Sequence, residues 1–179
     1  MSDLNPAEYY ATTFPAQYQA ALAGADAAIL DQPELSANIE IPGQGIFGLR
    51  AQGKTLTYEP GGVANPDLHT TLSLEDWRAS IQSGVAEQLI DYMLRRRVHV
   101  VKGINGTVKL ELERSDGSIY HNTTTFMGKH EPAVTIMMTS DDYNAMMNGD
   151  LNGQMAFMMG KLKFEGSLPL LMAIGALAS

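Results

Sequence analysis

Gln154-Met155-Ala156-Phe157-Met158-Met159-Gly160-Lys161-Leu162-Lys163-Phe164-Glu165-Gly166-Ser167-Leu168 decides the fold, because one glycine couples an apolar helix end to a short amphipathic strand. Gly160 suits the left-handed residue that ends a helix, and Gly166 lets the chain turn out of its strand. Between them Lys161 and Lys163 alternate with Leu162 and Phe164, which places the lysines outside and the apolar groups inside a strand over Lys161 to Phe164. Upstream, Ala133 to Met138 reads as a strand, Thr139 or Ser140 caps a helix, and Asp141-Asp142 sits where a helix dipole favours negative charge. Further back, Thr107 to Glu113 and Ile119 to Phe126 form a hairpin around Ser115-Asp116-Gly117-Ser118. Downstream, Pro169-Leu170-Leu171-Met172-Ala173-Ile174 reads as an apolar last helix.

The first half follows a similar order. Asn5 caps a helix reaching Gly24, Pro6 suits its first turn, and Pro15 is expected to break it in two. Tyr9, Tyr10, Phe14 and Tyr18 make one face of that helix sticky, which predicts packing on the body; the alternatives are a lid or the arm of a homodimer. Punctuators at Asp31-Gln32-Pro33-Glu34 and Pro42-Gly43-Gln44-Gly45 predict loops between this arm and the rest. Ile46 to Arg50 and Thr55 to Tyr58 then read as a hairpin, Leu68 to Leu72 as a strand, and Ser73 as the cap of a helix broken at Gly84. Val98 to Val101 reads as a strand.

Laid on the second half, Pro66 falls on Pro132, Leu68 on Val134 and Glu75-Asp76-Trp77 on Asp141-Asp142-Tyr143, each 66 residues on. Gly84 falls on Gly149 and Gly103 on Gly166 at slightly shorter offsets, as loop-length changes in a duplicated unit produce. An internal repeat is therefore expected, with halves 46–103 and 104–179 in one domain over 46–179, preceded by a helical arm and loops over 1–45. The missing linker between Gly103 and Thr107 favours that single unit, since about seventy residues is small for an independent core.

Composition narrows function. With 179 residues and 45% apolar content the chain can bury a real core. A net charge of −8 argues against a nucleic-acid partner, which needs a basic face, and permits at most transient contact with anionic membranes. Zero cysteines exclude disulfides, thiolate metal sites and cysteine nucleophiles, and suit a cytoplasmic life. Met-Ser-Asp-Leu-Asn-Pro does not read as a signal peptide, the last residues Ala-Leu-Ala-Ser lack the peroxisomal tripeptide, and Leu168 to Ala178 is too short to span a bilayer. His69, His99, His121 and His130 fall at no metal-ligand spacing, so no metal, no cofactor and no catalytic residue is expected, and enzymatic activity is the less favoured reading. Arg95-Arg96-Arg97 is the basic run of an acidic chain, read as a solvated helix end or as a contact for an anionic head group.

Methionine usage is the oddest feature. Met127, Met137, Met138, Met146, Met147, Met155, Met158, Met159 and Met172 crowd the last third. Unbranched, polarisable side chains repack around varied ligand shapes, where Leu or Ile would specify a unique core better. Singly these are core residues; as a group, with the apolar residues around them, they suggest the wall of a lipid-shaped cavity. The candidate ligand-binding residues are Phe126, Ile136, Met138, Met146, Met147, Met155 and Phe157, continued by Met158, Leu162, Phe164, Leu170, Leu171 and Ile174.

Ala156-Phe157-Met158-Met159-Gly160-Lys161-Leu162-Lys163-Phe164-Glu165-Gly166 resembles the Ala-Phe-Met-x-Gly-Lys-Leu-Lys-hydrophobic-x-Gly segment of the sterol carrier protein type two family. The likeness extends outward in the family's order through Pro132-Ala133-Val134-Thr135-Ile136, Asp141-Asp142-Tyr143, Gly149-Asp150-Leu151 and the last apolar helix. It is strongest over 104–179, and Arg95-Arg96-Arg97 departs from it where the first half should carry Met-Met-Gly. The resemblance implies an α+β fold, with a mostly antiparallel sheet covered by helices on one face and an apolar tunnel between the layers. It also implies a non-catalytic carrier of a fatty acid, sterol or other lipid, with Leu168 to Ala178 as candidate gate. Two other readings stay open: an enzyme or accessory protein of lipid, isoprenoid or polyketide metabolism using the same cavity, and a structural or assembly module.

Overall fold

Asn5 starts the chain's first helix by accepting the amide protons of Ala7 and Glu8 at 2.8 and 3.4 Å. The computed structural model describes residues 4–94 and 98–177. Helix α1 (Pro6–Glu8) passes through a π-helical turn, Tyr9–Thr13, into α2 (Phe14–Leu22). Pro15 sits in the first turn of α2, where its missing N–H costs nothing, and the wider π turn absorbs the break expected there. Tyr9, Tyr10, Phe14 and Tyr18 are buried, Tyr10 stacks on Phe47 at 5.3 Å, and the Tyr18 hydroxyl donates to the Gly53 carbonyl at 2.7 Å. The arm is thus part of the core.

Eight strands follow: β1 (Leu35–Ile41), β2 (Gly45–Gln52), β3 (Thr55–Pro60), β4 (Leu68–Thr71), β5 (Gly106–Glu113), β6 (Ile119–Phe126), β7 (Ala133–Thr139) and β8 (Lys163–Gly166). They form one mixed sheet in the order β3-β2-β1-β4-β6-β5-β7-β8, in which β1–β4 and β5–β7 are parallel and the other pairs antiparallel. The helices after the arm are α3 (Leu74–Gln82), α4 (Gln88–Leu94), α5 (Val98–Gly103), α6 (Ser140–Met147), α7 (Gly153–Met158) and α8 (Leu168–Gly175). One sheet face carries the buried residues Ala37, Ile39, Leu49, Leu110 and Ile136 toward the helices. The other carries polar contacts such as the Arg50–Glu34 ion pair and the hydrogen bond between His69 and Glu40, each at 2.8 Å. This alternation is what a sheet covered on one side requires.

Both halves share a connectivity. β1 pairs antiparallel with β2 and parallel with β4; β5 does the same with β6 and β7. The helix that follows is capped by a hydroxyl in each half, Ser73 accepting from the Asp76 amide at 3.0 Å and Thr139 from that of Asp142 at 3.1 Å. β4 and β6 join the halves edge to edge.

Three expectations need correction. The residues before Pro42 are not all loop, because Leu35 to Ile41 alternates apolar and polar residues and forms β1, an interior strand buried on both sides. Val98 to Val101 is helical, its β-branched preference overridden by packing of Val98 and Val101, three residues apart, into the core. The last strand starts at Lys163, since the amides of Lys161 and Leu162 turn back to the Ala156 carbonyl at 2.8 and 3.1 Å and close α7. Arg95-Arg96-Arg97 lies outside the described residues.

Candidate functional site

Between the buried sheet face and the helices lies a cavity of about 670 Å³. Its floor is cut from alternate residues of five strands: Ala37 and Ile39 of β1, Leu68 and Thr70 of β4, Val108 and Leu110 of β5, Tyr120, Asn122, Thr124 and Phe126 of β6, and Ile136 of β7. Period-two alternation puts these on one face and leaves His69, His121, Lys109 and Glu111 on the other. The roof comes from Tyr10 and Phe14 of the arm, Trp77 of α3, Leu89 and Tyr92 of α4, and Tyr143, Met146 and Met147 of α6. At one end Phe157 of α7 and Leu168 and Met172 of α8 both line the cavity and stand 51–70% exposed, which makes the gap between these helices its mouth.

No Asp, Glu, Lys, Arg or His lines the cavity among the described residues. Its ionisable groups are tyrosines. Burial pushes the Tyr120 hydroxyl up to about 12, and burial raises those of Tyr10 and Tyr143 as well. Their hydroxyls are engaged: Trp77 Nε1 donates to Tyr10 at 3.0 Å, Asn122 Nδ2 to Tyr120 at 3.0 Å, and Tyr143 donates to Gln88 Oε1 at 2.9 Å. The Arg114–Asp76 ion pair, at 2.9 Å, lies outside the lining with the guanidinium 5.7 Å from the Tyr120 ring centre. No group of three or more metal-ligating side chains occurs among the described residues. Such a wall can hold an apolar body and orient it by a few neutral hydrogen bonds.

Of the residues singled out from sequence, Phe126, Ile136, Met146, Met147, Phe157, Leu162, Leu171 and Ile174 line this cavity. The other five do not. Met155 and Met158 lie on the outer face of α7 at 57% and 78% exposure. Met138 is buried beside its register partner Leu112, beyond the end of the floor. Leu170 turns away from the cavity into a notch over Gly106, and half-buried Phe164 backs Phe157 with ring centres 5.8 Å apart. Sequence reasoning missed most of the first-half wall, Tyr10, Ile39, Leu68 and Trp77 among them, because it placed the cavity in the last third. The signals were present as a sticky aromatic face and a period-two strand. His69, His99, His121 and His130 all lie away from the cavity, and His99 sits in helix α5 instead of a strand.

The profile of the SCP-2 sterol transfer family matches residues 90–179. The Peroxisomal multifunctional enzyme A of Dictyostelium discoideum is 37% identical over 81 residues, which cover 45% of this chain and 18% of that protein's length. Among solved structures, the sterol carrier protein domain 2 of Helicoverpa armigera is 22% identical with a TM-score of 0.43, covering 59% of this chain and 88% of its own. Sterol carrier protein 2 of Yarrowia lipolytica is 19% identical with a TM-score of 0.36, covering 45% and 71%. With the family profile spanning half of its length, over α4 to α8, the chain belongs to the SCP-2 sterol transfer family.

Proposed function

We propose that this protein is a non-catalytic carrier that holds an apolar small molecule, such as a fatty acid, a sterol or another lipid, in a tunnel between sheet and helices. The observation that carries this reading is the uncharged cavity of about 670 Å³ with an apolar mouth. Its size falls within the range of small-molecule sites, and each buried methylene contributes roughly 0.8 kcal/mol, so affinity needs few polar contacts. The eight sequence-predicted residues that line it are the ligand contacts, and α8 is the gate. The shared connectivity and the paired hydroxyl caps support a duplicated unit whose two copies both wall one tunnel.

Native mass spectrometry of the purified protein, followed by solvent extraction, tests this directly: a discrete added mass that extracts as a lipid is expected. Met146→Glu, which puts a carboxylate into the wall, should weaken lipid uptake at least about tenfold, whereas Met158→Glu should leave it unchanged. Equal loss in both variants, or none in either, would place the binding surface elsewhere. A second reading is favoured by the Dictyostelium relative, a multifunctional enzyme of which the matched region is a small part. There the same cavity would present an apolar substrate to a separate catalytic partner.

A further inference from the structure

The central strand β6 breaks the pattern of the cavity floor. Its neighbours present Leu68, Val108 and Leu110, while β6 presents Tyr120, Asn122 and Thr124. A purely apolar ligand gives no reason for polar side chains there, and the donors and acceptors that their mutual bonds leave over are costly to cover with hydrocarbon. We infer that this strip, with Thr70 of β4 beside it, is a specificity element that selects neutral, oxygen-bearing apolar molecules over carboxylate anions. The inference rests on the carrier reading above and narrows its ligand.

The hydrogen-bond accounting supports the assignment. Asn122 Nδ2 donates to the Tyr120 oxygen at 3.0 Å, so the amide is oriented with Oδ1 as a spare acceptor and the Tyr120 O–H as a spare donor. Thr70 and Thr124 share one hydrogen bond at 2.8 Å, which uses one of their two protons and leaves the other. A donor beside an acceptor matches an alcohol, which both gives and takes a hydrogen bond, or a ketone on the donors alone. A carboxylate also only accepts, but unlike a ketone it carries a full negative charge. It would meet the Asn122 Oδ1 lone pairs, and no cationic side chain lines the cavity among the described residues to offset its desolvation. Arg114, with its guanidinium 5.7 Å from the Tyr120 ring centre, already serves Asp76 Oδ1 at 2.9 Å and Ser118 Oγ at 3.2 Å. The Tyr120 hydroxyl, raised to about 12 by burial, remains a donor at every physiological pH.

The test uses three ligands of one chain length, 1-dodecanol, laurate and dodecane, titrated into the full chain at pH 8 with emission of Trp77, the single tryptophan and a cavity residue, as readout. Dodecanol should bind at least about tenfold more tightly than laurate. Tyr120→Phe should weaken dodecanol about 3- to 10-fold and leave dodecane unchanged, and Asn122→Leu should act in the same direction. Laurate binding as well as dodecanol, or both variants retaining full dodecanol affinity, overturns the inference while leaving the carrier reading intact. Failure of all three ligands to bind a folded protein overturns both.

Discussion

Gly106 shows how much a single residue decides. Its φ is +131°, and an added Cβ would lie 2.2 Å from the Pro132 carbonyl oxygen and 2.9 Å from Leu170 Cδ2. The first residue of β5 therefore has to be small, so that β7 can run alongside and α8 can lay Leu170 over it. Gly106→Ala should cost at least about 2 kcal/mol in urea denaturation, through strain and overpacking together. Gly103→Ala is the control: no atom stands within 4 Å of its added Cβ, φ is not positive, and it ends helix α5, so a gain of up to about 1 kcal/mol is expected. Equal effects at the two sites would refute the steric account. Both glycines were visible in the sequence, but only Gly103 had drawn a role there, as a repeat partner. Nothing in the sequence distinguishes a glycine facing a carbonyl from one facing water.

At the scale of elements, Asp67 pins three pieces of the first half together. Its carboxylate accepts from the Ser36 amide at 2.8 Å, the Ser36 hydroxyl at 3.0 Å and the Lys102 ammonium at 2.9 Å, linking β1, the start of β4 and α5. Asp67→Ala should cost about 3 kcal/mol, because it strands a buried amide and a partly buried cation. Unchanged thermal stability of that variant would show the cluster to be dispensable. This network also explains why Val98 to Gly103 is a helix, with Lys102 directed at Asp67 and Val98 and Val101 at the core. No neighbouring residue in the sequence signals this role, since the partners of Asp67 lie 31 and 35 positions away.

For the whole molecule, the tyrosines set an alkaline limit. Burial pushes Tyr120 up to about 12; burial, then the Glu87 charge, does the same for Tyr9, and burial raises Tyr10 and Tyr143. Both folded and unfolded chains keep these protons below the ordinary value near 10, so their contribution to stability is fully present there. Above it the unfolded chain loses protons first, and stability falls until the pH reaches the folded values. These four tyrosines should therefore ionise together with the loss of the circular dichroism signal, in one cooperative step above pH 10. Their gradual titration near pH 10 with the fold intact would contradict this. No helix among the described residues is long and apolar enough to cross a membrane.

The sequence by itself determined the family, the hairpins, the hydroxyl caps of α3 and α6 and the inward face of the last strand. These rest on local periodicity and turn chemistry that a few neighbouring residues carry. Only the tertiary structure decided that β4 and β6 fuse the halves into one sheet, that the aromatic arm roofs the cavity, and that Met155 and Met158 face out while Phe157 faces in. Each of those depends on contacts between residues far apart in the chain. An apolar side chain on a short helix does not declare, from its neighbours alone, which side another element will cover.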